Sequence, residues 1–116
     1  MKDPAEYDLV AEAIAYMELH CAGPLRLGEV AKHVGCSTSH LSRRFRATRS
    51  CTFTYCLNQL RVERSKPLLL NSSLTVGDVG YLVGFCEQSY FVKVFRKYTG
   101  ITPRQYRHRA LSSWPP

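Results

Sequence analysis

Two stretches of this chain repeat each other about fifty positions apart, and the repeat restricts the fold more than any other feature. Gly28-Glu29-Val30-Ala31 with Val34-Gly35 lines up with Gly77-Asp78-Val79-Gly80 with Val83-Gly84. One residue is then gained in the second turn. Beyond it, Leu41, Phe45-Arg46 and Cys51-Thr52 match Phe91, Phe95-Arg96 and Ile101-Thr102. Each copy reads as a helix, a glycine turn and a second helix. The chain around the two copies reads as helical too.

The apolar spacing supplies those helices. Residues 5 to 21 form the first, with Pro4 at its start and a stripe of Tyr7, Val10, Ala11, Ile14 and Ala15. Gly23-Pro24 stops it. The second runs from Leu27 to Val34 on a face of Leu27, Val30, Ala31 and Val34. Gly35 serves the tight turn, and Ser37 caps a third helix over about 38 to 48. Thr52 caps a long fourth helix reaching about residue 70, with Phe53, Leu57, Leu60 and Leu68 toward the core. Pro67 predicts a kink or an early end there. Asn71-Ser72-Ser73 marks a polar boundary. Helices near 76–83, 87–98 and 103–109 complete the second copy, Gly84-Phe85 making its turn, Gly100 ending its second helix and Thr102-Pro103 opening the last one. The end, 111–116, reads as a disordered tail. No alternating run is long enough for a strand.

Charge narrows the partner. Net charge is +7, yet five of the nine acids lie before residue 19, where Lys2 is the only base. From Arg26 onward fifteen Lys and Arg face four Asp and Glu, as suits a surface that meets phosphates. The start lacks the basic and apolar regions of a signal peptide, and no apolar run approaches the roughly 20 residues of a membrane span. An odd number of cysteines, five, argues against a disulfide framework and for a reduced, cytoplasmic setting.

Two helix faces combine small polar residues with cations. With Leu41 and Phe45 turned inward, Ser39, Arg43 and Arg46 point outward and Ser42 lies on the flank. With Phe91, Phe95 and Tyr98 inward, Ser89, Lys93 and Arg96 point outward, flanked by Val92, and Gln88 sits in the first turn. In a major groove, small residues permit close approach, Arg grips guanine, Gln grips adenine and Val meets a thymine methyl. Solvated helix faces more often carry Glu/Lys pairs four apart, and neither face has them. A fourth helix of this length spans about 27 Å, within reach of two groove segments roughly 34 Å apart. Because the two faces differ, the site should be asymmetric.

The segment from Val83 to Arg107 strongly resembles the signature of the AraC/XylS transcriptional regulators: Gly84-Phe85, Tyr90-Phe91, Phe95-Arg96-Lys97, Gly100, Thr102-Pro103 and Tyr106-Arg107. The first copy agrees through Leu27, Val30-Ala31, Val34-Gly35, Ser37, Leu41-Ser42-Arg43 and Phe45, and the long helix through Leu60-Arg61 and Glu63-Arg64. The resemblance implies an all-α domain over 5–110: seven helices, two homeodomain-like helix-turn-helix units in tandem (5–50 and 74–109) and a linker helix at 52–70. It implies sequence-specific binding of double-stranded DNA at bacterial promoters, most often for activation, with RNA polymerase as a further partner. Base readers then fall on Ser39, Ser42, Arg43, Gln88, Ser89, Val92 and Lys93, and phosphate contacts on Arg46, Arg96 and Lys97. Most members carry a separate sensing or dimerising domain. The chain therefore reads either as a small stand-alone regulator or, the favoured reading, as an excised DNA-binding domain working at the bacterial nucleoid, monomeric by itself and open to dimerising through an absent sensing domain.

Five positions depart from the family pattern. Ser50 stands where a turn glycine is usual, Pro67 interrupts the linker, Gly77 and Gly80 loosen the fifth helix, and Cys86 replaces a capping residue. Two other functions compete with DNA reading. A sequence-independent polyanion binder needs only the charge. A metal or redox sensor needs His33-x-x-Cys36 and the Cys51/Cys56 pair, yet Cys36, Cys51 and Cys56 align with Phe85, Ile101 and Tyr106, positions expected to pack. No acid pair, Cys/His couple or phosphate loop suggests an enzyme, and Ser39-His40 point about 100° apart. Neither cofactor nor metal is expected.

Overall fold

A computed structural model describes residues 8–112, and among them every regular element is helical. The order is α1 (Leu9–His20), α2 (Leu27–Val34), α3 (Thr38–Arg49), α4 (Phe53–Leu69), α5 (Val76–Leu82), α6 (Gln88–Thr99) and α7 (Pro103–Ser112). The chain divides into two compact units between Leu57 and Asn58, inside α4 rather than at the polar loop Asn71-Ser72-Ser73.

In the first unit α1 starts at Leu9. Pro4 and Tyr7 lie outside the described residues, and the cap is Asp8, whose carboxylate accepts the Ala11 N–H at 2.9 Å. The buried stripe of α1 also differs from expectation. Val10, Ala13 and Met17 are fully enclosed, continuing to Cys21, while Ala11 and Ala15 are exposed and Ile14 is half-buried. The reason is alanine on several faces of one helix: it blurs the contrast that would fix the phase. Leu25, Val30, Ala31, Leu41, Phe45 and Leu57 complete this core, with Leu27 and Val34 only half-buried.

In the second unit, Val62 and Leu69 of α4 pack with Val79, Val83, Phe85, Phe91, Val94 and Phe95. Leu60, Leu68 and Tyr98 are half-buried instead of central. The enclosed face of α4 carries polar groups that hydrophobicity does not reveal. Ser65 donates its hydroxyl to the Val62 carbonyl at 2.6 Å, Asn58 donates to the Tyr90 hydroxyl at 3.3 Å, and Arg61 lies 5.7 Å from the centre of the Phe85 ring. Each is thereby compensated for leaving water.

Pro67 does not stop α4 at once. The helix continues two residues to Leu69 and closes through shorter-range bonds, Leu70 N–H to Pro67 O and Asn71 N–H to Leu68 O. Asn71 then accepts both the backbone N–H and the hydroxyl of Ser73. At the far end α7 runs through Ser112, so residues 111 and 112, expected in a tail, are helical; 113–116 lie outside the described residues. No helix among the described residues is long and apolar enough to cross a membrane.

Candidate nucleic-acid interface

The duplication becomes one motif built twice. After α2, the Gly35 N–H reaches Lys32 O and the Cys36 N–H reaches Ala31 O. After α5, the Gly84 N–H reaches Tyr81 O and the Phe85 N–H reaches Gly80 O. These are paired Schellman closures, and both turn residues hold positive φ, 79° at Gly35 and 110° at Gly84. Only glycine adopts that conformation without cost, and it aims the following helix away from the preceding one.

Past the turns the two copies differ by the one inserted residue. Ser37 caps α3, its hydroxyl accepting the His40 N–H at 3.1 Å. In the second copy the extra residue moves the capping position from Cys86 to Glu87, which supplies no side-chain bond. The expected weak start of α6 is therefore present, one residue later than anticipated. No capping side chain satisfies its first-turn N–H groups.

Gly80 does more than weaken α5. A Cβ built there would stand 2.8, 3.0 and 3.1 Å from three carbons of the fully buried Phe91. Its absence lets α5 cross directly over α6. Phe91 in turn packs on Phe85 at 5.2 Å and Phe95 at 5.8 Å between ring centres, and Phe95 on Tyr106 at 5.7 Å. This aromatic column fixes which side of α6 faces out. Leu41 and Phe45, both fully enclosed, do the same for α3, with Phe45 edge-on to Phe53 at 6.1 Å.

On the free side of α3, Ser39, Arg43 and Arg46 are exposed and Ser42 is half-buried. On α6, Gln88, Ser89, Lys93, Arg96 and Lys97 are exposed and Val92 is half-buried. Ser39, Ser42, Arg43 and Arg46 occupy the same positions in their unit as Ser89, Val92, Lys93 and Arg96 in the other. Neither helix carries an acidic residue. Arg46 with Arg49, and Arg96 with Lys97, sit in the last turns, where the helix dipole favours cations. Gln88 rests its amide oxygen close over Gly77, 2.8 Å from where a Cβ would be.

Arg44 is a further exposed cation on α3 and Arg104 and Arg109 on α7, none of them assigned a role from the sequence. Two arginines instead work inside the protein. Arg61 is buried beside Phe85, and Arg107 donates to the carbonyls of Leu69, Asn71 and Leu74. The signal for Arg61 is its place on one stripe of α4 with Leu57, Ser65 and Leu69. Among the described residues no group of three or more His, Cys, Asp and Glu is gathered closely enough to hold a metal ion.

Residues 30–109 match the helix-turn-helix domain family. The chain is 36% identical over 100 residues to an uncharacterized HTH-type transcriptional regulator of Staphylococcus aureus strain MSSA476, covering 86% of this chain and 13% of that protein. It is 32% identical over 117 residues to the regulatory protein PocR of Salmonella typhimurium, covering 99% of this chain and 39% of PocR. The chain thus spans well under half the length of these relatives. Among solved structures, a Chromobacterium violaceum transcriptional regulator with an AraC-type DNA-binding domain superposes with a TM-score of 0.84 at 27% identity, covering 98% of this chain and all (100%) of that one. The DNA-binding domain of AdpA, a global transcriptional factor solved in complex with a target DNA, superposes with a TM-score of 0.84 at 26% identity over 94% of this chain and 98% of its own. By sequence match and by fold, this chain belongs to the AraC-type helix-turn-helix family of DNA-binding domains.

Proposed function

We propose that the chain binds double-stranded DNA sequence-specifically, laying α3 and α6 in separate stretches of major groove, and so directs bacterial transcription. The observation that carries this reading is the pair of matched outer faces. Both are free of acids, both stand on buried aromatic residues, and both present a small or short side chain beside a cation at equivalent positions. Ser39, Ser42 and Arg43 read bases in one segment, and Gln88, Ser89, Val92 and Lys93 in the other. Arg46, Arg96 and Lys97 hold phosphates. The fold's relative AdpA was solved on a target DNA, which supports the same class of partner here.

Residues 5–110 constitute the DNA-binding domain, with α4 as its linker. The bound site is asymmetric, since Arg43 and Lys93 do not present the same donors. The domain acts as a monomer, inside the cell, as the promoter-reading part of an activator that meets RNA polymerase. Selection of bound sequences from a random duplex pool tests the reading. Two unlike half-sites should emerge, and Lys93→Ala should alter one of them only. Equal affinity for random and selected DNA would favour a sequence-blind polyanion binder, and disturbance of both half-sites by Lys93→Ala would refute separate reading by the two helices.

A further inference from the structure

The corner between α3 and α4 holds two thiols in contact. Cys51 follows Ser50, the residue that ends α3, and precedes Thr52, whose hydroxyl caps α4 by accepting the Tyr55 N–H. Cys56 lies one turn further along α4, and its Sγ stands 2.9 Å from the Sγ of Cys51. A disulfide needs about 2.05 Å, and the two residues lie on one short, continuous piece of backbone. Both are half-buried, and Cys51 borders an open depression of about 480 Å³ together with Arg49, Ser50, Thr52 and Tyr55. A small reagent therefore has a path to this sulfur. In the second unit the equivalent positions are Ile101 and Tyr106, which have no such chemistry.

We infer that Cys51 and Cys56 form a redox site that closes to an internal disulfide on exchange with small-molecule disulfides. The order of events is set by access, since Cys51 borders the open depression and Cys56 is not among its lining residues. Burial, the hydrogen bond with Cys51 and the Cys51 charge push the Cys56 thiol up to about 12, with Arg49 opposing weakly, so Cys56 stays protonated. Cys51 is the attacking sulfur. Its thiolate, having lost one proton, displaces one half of the reagent as a thiolate and becomes a mixed disulfide. The neighbouring Cys56 then gives up its proton and attacks the Cys51 sulfur, expelling the second half. The protein loses two hydrogens and two electrons reside on two released small thiols. The new bond ties the residue behind α3 to the first turn of α4, fixing the corner from which α3 projects.

Oxidised glutathione at graded ratios to its reduced form tests this on the whole chain. Trypsin cuts after Arg49 and Arg61, so one peptide, Ser50–Arg61, carries both sulfurs. After acid quench and maleimide labelling, that peptide should appear lighter by two hydrogens and unlabelled. Cys56→Ser should trap glutathione on Cys51, and Cys51→Ser should leave Cys56 reduced. The inference is overturned if Ser50–Arg61 carries two maleimides under conditions that fully modify the exposed Cys86. It is equally overturned if Cys51→Ser takes up glutathione at Cys56 as fast as the wild type reacts. The wild-type peptide decides the matter even if a serine variant fails to fold. None of these readouts depends on DNA, so a failure here leaves the proposed function standing.

Discussion

Replacing Gly80 by alanine should destabilise the second unit, although helix propensity alone predicts the reverse. Alanine gains up to about 1 kcal/mol over glycine inside a helix, and less in a last turn such as this one. Against it stands the new methyl at 2.8, 3.0 and 3.1 Å from Phe91 carbons, where carbon pairs prefer about 3.5–4.0 Å. The ring has little freedom to retreat, because Phe91 is fully buried with Phe85 and Phe95 packed against it. Overpacking of this kind costs about 1–3 kcal/mol, leaving a net loss of about 1–2 kcal/mol. Gly77→Ala is the internal control. Its methyl is crowded only by the amide oxygen of Gln88, the far end of an exposed, rotatable side chain, with Thr75 Oγ1 at an ordinary 3.7 Å, so the first-turn propensity gain, about 0.5 kcal/mol, should survive. Urea unfolding followed by circular dichroism should show shifts of opposite sign. Adding Phe91→Leu to Gly80→Ala should recover part of the loss through coupling between contacting sites. A Gly80→Ala protein as stable as the wild type, or both variants shifting the same way, would refute the close-crossing argument.

Four further outcomes are expected. Arg43→Ala should cost about 1–3 kcal/mol at its selected site and relax preference at one or two base pairs, whereas a uniform loss across sequences in competition binding would contradict base reading. Lys97→Ala should weaken all sequences alike and lower the salt-dependence slope by about 1, and an altered sequence preference would show the phosphate role to be mistaken. Ser50 holds a left-handed conformation at φ 56°, as Gly100 does at 87° in the second unit, so Ser50→Gly should stabilise by about 1 kcal/mol in thermal melts. Asp78 accepts the Thr75 N–H and its own N–H meets the Thr75 hydroxyl, and this box lowers the carboxyl pKa below its ordinary 3.8. A lowered folded pKa means that the contribution is present above the unfolded value and disappears as pH falls through the folded one. The stability gap between wild type and Asp78→Asn should accordingly shrink below about pH 4, and a gap unchanged with pH would discount the cap.

The order and type of the helices were legible because the second copy repeats the spacing of the first: where one copy is ambiguous the other settles the register. The outward faces of α3 and α6 come from Leu41, Phe45, Phe91 and Phe95, four large apolar residues with one clear phase each. Packing that depends on weak contrast was not legible. Alanines on several sides of α1 hid the role of Ala13 and Met17, and the enclosed Asn58, Arg61 and Ser65 are polar, so the apolar pattern of α4 pointed to Leu60 and Leu68 instead. The significance of Gly80 was illegible for a different reason. A missing side chain signals loss of rigidity until the partner across the gap is known, and here Phe91 turns it into a site of close approach. Glu87 in place of Cys86 as the capping position is the cost of aligning two turns of unequal length.

Arg107 makes the last helix answerable for a stretch of backbone far from it in sequence. By gripping the Leu69 carbonyl, 38 residues upstream, together with those of Asn71 and Leu74, it braces the polar segment that would otherwise look like a natural place to cut or to insert. A protease or a peptide graft at Ser72 must work against that brace. Trimming α7, by contrast, would leave three carbonyls seeking water and the exit of α4 unsecured, so damage at one end of the molecule would surface in its middle.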